Sequence, residues 1–163
     1  YALFDRKARK LVSLAEKRQA ITKEDMGEVI TIEYAARDGR KIGAILTWPA
    51  RVPASERKQP PLVVMAHEDP DFYSDVGFDW IAQFLANEGY AVLQPNYRGS
   101  GGQGQEFRAA GYDEFGRKMQ HDITDGVHAL VEMGWIDDDR DCIAGKGRGG
   151  YLALMGGANT PHR

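Results

Sequence analysis

The segment from Gly145 to Gly150, which reads Gly-Lys-Gly-Arg-Gly-Gly, has the spacing of a nucleophile elbow but carries no nucleophile. An apolar run at 142–144 precedes it and a helix-like run at 151–155 follows it, so we predict a sharp turn from a strand to a helix. Such a turn needs small residues on both sides of its apex, because a Cβ would clash there. In a hydrolase the apex carries a serine that attacks an acyl carbon. Here the apex is Gly147, which has no side chain to attack with.

The same glycines also fit the template of a dinucleotide-binding loop. Gly145, Gly147 and Gly150 match Gly-x-Gly-x-x-Gly between a strand and a helix. Lys146 and Arg148 add positive charge beside the helix N-terminus, which makes them candidate anion-binding residues. A dinucleotide site also needs an acidic residue ~20 positions further on, and this sequence ends before that position. We therefore expect no cofactor, and adventitious anion binding stays open.

A second polar group, His67, Glu68 and Asp69, directly follows the apolar run at 62–66. Imidazole and carboxylate groups suit zinc or manganese. Consecutive side chains rarely point at one ion, however, so we predict no metal site. His67 is either a polar group aimed at a former active site or a hydrogen-bonded histidine at a strand end, and the second interpretation is favoured.

Composition excludes several classes of function. The chain has 163 residues and a net charge of -3, without a basic cluster that would attract nucleic acid or an anionic membrane. No apolar run approaches the ~20 residues that span a bilayer, and no signal-peptide pattern follows Tyr1, so we expect a cytoplasmic protein. Cys142 is the single cysteine, and we predict that it is a small buried residue in a strand.

Hydrophobic periodicity predicts the elements that position these residues. Alternating apolar residues at 29–35 and 41–48 predict an antiparallel hairpin around Asp38-Gly39, and residues 1–14 predict two further short strands. Continuous apolar runs predict three buried strands, at 62–66, 90–93 and 142–144. Apolar residues at helical spacing predict three helices, near 78–85, 123–131 and 151–155. Alternating strands and helices predict an α/β fold of three layers with a mostly parallel sheet and a leading antiparallel hairpin.

Four motifs, in order along the chain, resemble those of a known family. They are the strand ending in His-Glu-Asp-Pro at 61–70, the run ending in Asn-Tyr-Arg-Gly-Ser at 89–100, the helix start at 119–127, and the elbow at 145–150. They resemble the motifs of prolyl oligopeptidase-family serine peptidases, in particular acylaminoacyl-peptidase-like and dipeptidyl-peptidase-like enzymes. The resemblance implies a truncated α/β-hydrolase domain at 21–163, and it implies that residues 1–20 are a remnant of β-propeller strands.

The resemblance implies cleavage of peptide bonds by a serine nucleophile, with a peptide as the substrate. In this sequence Gly147 occupies the nucleophile position, and Arg148 stands where the family usually has a tyrosine or another neutral residue. His67, Glu68 and Asp69 occupy the oxyanion loop, where two carboxylates oppose a developing negative charge. The acid and base of the triad follow the nucleophile in this fold, and too short a segment remains to hold them. We therefore predict a catalytically inactive domain.

Three other charged residues have structural interpretations. The resemblance implies that Arg98 pairs with a carboxylate beneath its loop. Asp122 and Asp125 lie near a predicted helix start, where we expect them to cap the helix and stabilise its dipole rather than to act in catalysis.

The alternative function is a non-catalytic protein-interaction or anion-binding module. The strand at 141–145 is expected at the edge of the sheet, and exposed edges invite pairing with another chain. This alternative predicts a homo-oligomer or a companion chain.

Overall fold

The computed structural model describes residues 1–15, 21–68 and 71–159. Its strands are β1 (Ala2–Asp5), β2 (Lys10–Ser13), β3 (Val29–Ala35), β4 (Lys41–Thr47), β5 (Leu62–Ala66), β6 (Ala91–Pro95) and β7 (Asp141–Gly145). Its α-helices are α1 (Trp80–Asn87), α2 (Gln105–Ala109), α3 (Lys118–Glu132) and α4 (Arg148–Asn159), and single 3-10 turns lie at Lys23–Asp25 and Ala54–Glu56. The predicted strands and helices are all present. Sequence periodicity missed α2, because five residues are too few to show a helical pattern.

Five strands form one sheet in the order β3-β4-β6-β5-β7. The pairs β3/β4 and β4/β6 are antiparallel, whereas β5 pairs in parallel with both β6 and β7. The α/β fold class is therefore confirmed. The sheet is mixed, because the leading hairpin β3–β4 extends the parallel strands sideways instead of standing apart from them. Within the described residues β7 lies at one edge of this sheet.

Helices cover both faces of the sheet, which confirms the three-layer arrangement. Leu46, Leu62 and Leu93 point to one face and are buried in a cluster with residues of α3 and α4, namely Met119, Ile123, Leu130 and Leu152. Gln94 points to the other face, where its amide donates to the carboxylate of Asp79, the N-cap residue of α1, at 3.0 Å. No helix in the described part of the chain is long and apolar enough to cross a membrane.

The hairpin β1–β2 forms a separate two-stranded antiparallel sheet, in which Ala2 lies opposite Ser13. All of its residues are exposed, Leu3 and Leu11 among them. The two predicted short strands are thus confirmed. That they are the remains of a propeller stays a prediction.

A buried ion pair connects three parts of the fold. Arg98, which follows β6, is 3% exposed in its side chain, and Asp122 of α3 is 0% exposed. Asp122 accepts hydrogen bonds from the backbone N–H, Nε and Nη2 of Arg98 at 2.9, 2.8 and 2.6 Å. The guanidinium also donates to Asp38 in the β3–β4 turn at 2.7 and 3.0 Å, which lowers the pKa of Asp38 to about 2. The expected pairing of Arg98 with a carboxylate beneath its loop is confirmed.

The prediction that Asp122 and Asp125 cap a helix is wrong. Helix α3 begins at Lys118, and both carboxylates lie beyond its first turn. Asp125 accepts from the backbone N–H of Arg37 at 2.7 Å and from its Nη2 at 2.6 Å. Both aspartates thus bind arginines that are distant in sequence, a partnership that local spacing does not reveal.

The prediction that Cys142 is buried is also wrong. Cys142 is exposed, as is every residue of β7 except Ile143. The reason is that β7 has a strand neighbour on one side only in the described sheet. Partial burial, together with the nearby carboxylate of Asp141, still raises the pKa of the Cys142 thiol.

We predict that Asp122→Ala lowers the free energy of unfolding by about 3–5 kcal/mol, because it leaves the buried charge of Arg98 without its main partner. Glu33→Ala is the matched control. Glu33 pairs with Lys41 at 2.8 Å on the exposed surface, and such pairs contribute about 0–1 kcal/mol. Urea denaturation of both variants measures the difference, and equal losses would contradict a structural role for the Arg98–Asp122 pair.

Candidate functional site

The elbow lies where the sequence predicts it, between β7 and α4. Strand β7 ends at Gly145 and α4 begins at Arg148. Gly147, at the apex, has a φ of 58°. This left-handed conformation is one that glycine adopts without steric cost. The carbonyl of Gly147 accepts from the N–H of Tyr151 at 3.2 Å, so the apex leads directly into the helix.

The two glycines that flank the apex have no room for a side chain. A Cβ at Gly145 would lie 2.3 Å from the backbone of Gly149, and a Cβ at Gly149 would lie 2.0 Å from the carbonyl oxygen of Ala66. Ala66 is the last residue of β5. Glycine at 145 therefore allows the turn to close on itself, and glycine at 149 allows the elbow to contact the end of the strand that leads to His67.

Glu68 lies beside the vacant apex. A Cβ built on Gly147 would lie 3.2 Å from the Cβ of Glu68 and 3.4 Å from its Oε2. The carboxylate is therefore next to the space into which a serine side chain at the apex would extend. Lys146 lies 3.3 Å from Glu68 Oε2, and both side chains are exposed. An exposed pair of this kind contributes about 0–1 kcal/mol to stability.

His67 is part of a hydrogen-bonded cluster at the end of β5. Its Nε2 is 2.9 Å from Ser100 Oγ. The Ser100 hydroxyl donates to the carbonyl of Tyr97 at 2.6 Å, so we assign the proton between His67 and Ser100 to Nε2. The His67 ring stacks on the Tyr97 ring at 4.3 Å, and the Tyr97 hydroxyl donates to the His67 carbonyl at 2.9 Å. These contacts agree with the interpretation of His67 as a hydrogen-bonded histidine at a strand end.

The structure brings some of the predicted site residues together and separates others. Lys146 and Glu68 meet beside Gly147, whereas Arg148 lies at the start of α4, with its guanidinium carbon 6.0 Å from the centre of the Phe115 ring. Asp69 lies outside the described residues. Among residues 1–15, 21–68 and 71–159, no group of three or more His, Cys, Asp or Glu side chains could hold a metal ion.

Sequence reasoning missed the aromatic residues that support the elbow. Phe115 stacks on Tyr151 of α4 with ring centres 4.5 Å apart and an angle of 14°. A Cβ at Gly116 would lie 2.7 Å from the Tyr151 hydroxyl, so this glycine allows the close approach. The two rings lie far apart in the chain and share no motif, so no local signal could have identified the pair. Tyr97 and Ser100, in contrast, belong to the Asn-Tyr-Arg-Gly-Ser run that carries the resemblance.

Similarity to known proteins extends over most of the chain. A sequence model of the prolyl oligopeptidase family matches residues 76–163. Dipeptidyl aminopeptidase BIII of Pseudoxanthomonas mexicana is 34% identical over 165 residues, which cover 99% of this chain and 24% of that protein. The acylamino-acid-releasing enzyme of Sus scrofa is 31% identical over 122 residues, which cover 75% of this chain and 16% of that enzyme.

The fold is shared with a solved structure. A puromycin-hydrolyzing peptidase of Mycobacterium tuberculosis superposes with a TM-score of 0.82 at 23% identity, over 94% of this chain and 24% of that one. The chain thus spans about a quarter, or less, of the length of the relatives that it matches.

We predict that Gly149→Ala strongly destabilises the protein, whereas Gly150→Ala does not. A methyl group at Gly149 would overlap the carbonyl oxygen of Ala66 at 2.0 Å, but at Gly150 its nearest neighbour would be 3.4 Å away. Overpacking costs about 1–3 kcal/mol or more, while alanine in a helix is favoured over glycine by about 1 kcal/mol. Thermal denaturation of the two variants tests the packing of the elbow. A tolerated Gly149→Ala would show that the elbow is not held against β5.

Proposed function

The chain belongs to the prolyl oligopeptidase family, and from that premise we propose that it is a peptidase domain that lacks serine catalysis. The observation that carries the proposal is the vacant apex of the elbow, where Gly147 has no side chain and Glu68 lies beside it. We further propose that residues 21–163 are part of the hydrolase domain and that residues 1–20 are a remnant of propeller strands.

The first step of serine-peptidase chemistry requires an oxygen nucleophile at the apex. That oxygen attacks the scissile carbonyl, forms an acyl-enzyme and expels the amine. Gly147 offers no atom that could form this bond, so the reaction cannot begin at the elbow. A peptide bound there would keep its scissile bond intact.

The negative charge of Glu68 beside the apex also opposes hydrolysis of a peptide bond. Hydrolysis of a peptide bond develops negative charge on the carbonyl oxygen, which the site must stabilise with hydrogen-bond donors. The carboxylate of Glu68 lies close to the apex where the scissile carbonyl group would bind, because its Oε2 is 3.4 Å from a Cβ built on Gly147. Lys146 offsets part of this negative charge from 3.3 Å, but it is exposed to solvent. The electrostatic environment therefore disfavours attack by water as well.

We propose a short peptide as the natural ligand. The names of two relatives, a dipeptidyl aminopeptidase and an acylamino-acid-releasing enzyme, support this choice. The shape of the elbow is compatible with such a ligand, because a tight turn at Gly147 joins a strand to a helix, as in the nucleophile elbow of hydrolases.

We predict that the purified protein neither hydrolyses an activated p-nitrophenyl ester nor becomes labelled by a fluorophosphonate. Absorbance at the nitrophenolate band and the intact mass of the protein measure the two outcomes. The double variant Gly147→Ser/Glu68→Gly is the matched comparison, because it returns a hydroxyl to the apex and removes the neighbouring carboxylate. Ester turnover by the natural sequence that a fluorophosphonate blocks would contradict the proposal.

A second candidate function is an interaction module assembled through the edge strand β7. Three observations favour it: β7 has one strand neighbour in the described sheet, Cys142 and Ala144 are exposed on it, and Leu154 of the adjoining helix α4 is 78% exposed. Exposed edge strands with apolar side chains pair readily with further strands. We propose that this edge recruits a second copy of the chain or a companion chain. The alternative of an anion-binding module is less favoured, because the carboxylate of Glu68 already pairs with the ammonium of Lys146.

If β7 recruits another strand, light scattering should show a dimer or a larger assembly at high concentration. Cys142→Lys should shift the assembly toward the monomer without unfolding it, because Cys142 is exposed and a lysine on an edge strand opposes pairing. A natural sequence that stays monomeric would count against the interaction module.

A further inference from the structure

A cleft of about 430 Å³ opens beside the elbow, between the loop after β6, the α2–α3 connection and the first turn of α4. Met119, which is 5% exposed, lines its buried part. Phe115 and Tyr112 also line it, and these two aromatic residues are 40% and 62% exposed. A Cβ at Gly111 would lie 2.5 Å from the Cα of Gly99, so the backbone itself closes one side. The cleft therefore offers apolar and aromatic surface that remains open to solvent.

Three charged side chains line this cleft, and their environments differ. Arg108 forms an ion pair with Asp71 at 2.5 Å. Arg148 and Asp113, in contrast, form no ion pair with any residue within 1–15, 21–68 or 71–159. The guanidinium of Arg148 instead stands over the Phe115 ring, 6.0 Å from its centre. One cation and one anion therefore line the same apolar cleft without an ion-pair partner among the described residues.

From this combination we propose that the cleft binds a free aromatic amino acid. Its carboxylate binds the guanidinium of Arg148, since the arginine fork matches a carboxylate in shape and charge. Its ammonium binds the carboxylate of Asp113, and its ring packs between Phe115 and Met119, where aromatic pairs are favourable. A volume of about 430 Å³ lies within the usual range of small-molecule sites.

The proposal goes beyond the function proposed for the elbow, because it requires neither a nucleophile nor a peptide bond. The proposal also gives different roles to Lys146 and Arg148, the two cationic residues that flank Gly147. Lys146 pairs with Glu68 at 3.3 Å and does not line the cleft, whereas Arg148 lines it. Lys146 therefore serves as a control of equal charge at nearly the same place in the sequence.

The first test compares three ligands that differ in one charged group each. Calorimetric titration of the purified protein uses L-phenylalanine, L-phenylalaninamide, which lacks the carboxylate, and N-acetyl-L-phenylalanine, which lacks the ammonium. We expect L-phenylalanine to bind about tenfold or more tightly than either blocked form, because each loses one charge-assisted contact. Absence of binding by L-phenylalanine, or equal affinity for all three ligands, would overturn the proposal.

The second test assigns each contact to a residue. Arg148→Gln should abolish the preference for L-phenylalanine over its amide, and Asp113→Asn should abolish the preference over the N-acetyl form. Asparagine tolerates the φ of 59° at position 113, so this variant should keep the local backbone. Lys146→Gln should leave all three affinities unchanged. If Lys146→Gln weakens binding as much as Arg148→Gln, the ligand responds to general positive charge at the elbow and the proposed site is wrong.

Discussion

Much of the arrangement of this domain depends on the ion pairs that the buried guanidinium of Arg98 forms with two aspartates. Its two edges bind Asp122 of α3 and Asp38 of the β3–β4 turn, so one side chain ties a helix and a hairpin to the end of β6. A charge that is 3% exposed persists because these carboxylates satisfy its donors. The segment that follows Arg98 carries Ser100, which meets His67 at 2.9 Å. The Arg98–Asp122 pair thus helps to position the segment that contacts His67 near the elbow.

Close packing shapes the elbow, and it does so without a side chain at the apex. Glycine at 145 lets the turn close on itself, and glycine at 149 lets it contact the end of β5, with Glu68 beside Gly147. This approach places the Glu68 carboxylate next to an apex that has no side chain. Frame and chemistry are separable because backbone sterics shape the frame, whereas the reaction needs particular side-chain atoms.

Hydrophobic patterns over a few consecutive residues predicted the strands and the elbow correctly. The bounds of β3 and β5 coincide with the runs of alternating and continuous apolar residues, and the elbow falls at the predicted glycines. Errors arose where the partner is distant. Cys142 lies in an apolar run and was expected to be buried, but its burial depends on which strand lies beside β7. The roles of Asp122 and Asp125 depend likewise on arginines far along the chain.

The sequence by itself determined the absence of a nucleophile at the elbow, the order of the strands and of the three longer helices, and the family to which the chain belongs. These follow from residue types and short spacings, because turns, periodicity and the lack of a hydroxyl are local properties. Tertiary structure alone decided that Glu68 lies beside Gly147, that Lys146 pairs with Glu68, and that Arg148 lies instead over the Phe115 ring. Those contacts join segments that are distant in sequence. The contacts of Glu68 require that β7 pairs with β5, because Glu68 and Gly147 follow the paired ends of these two strands.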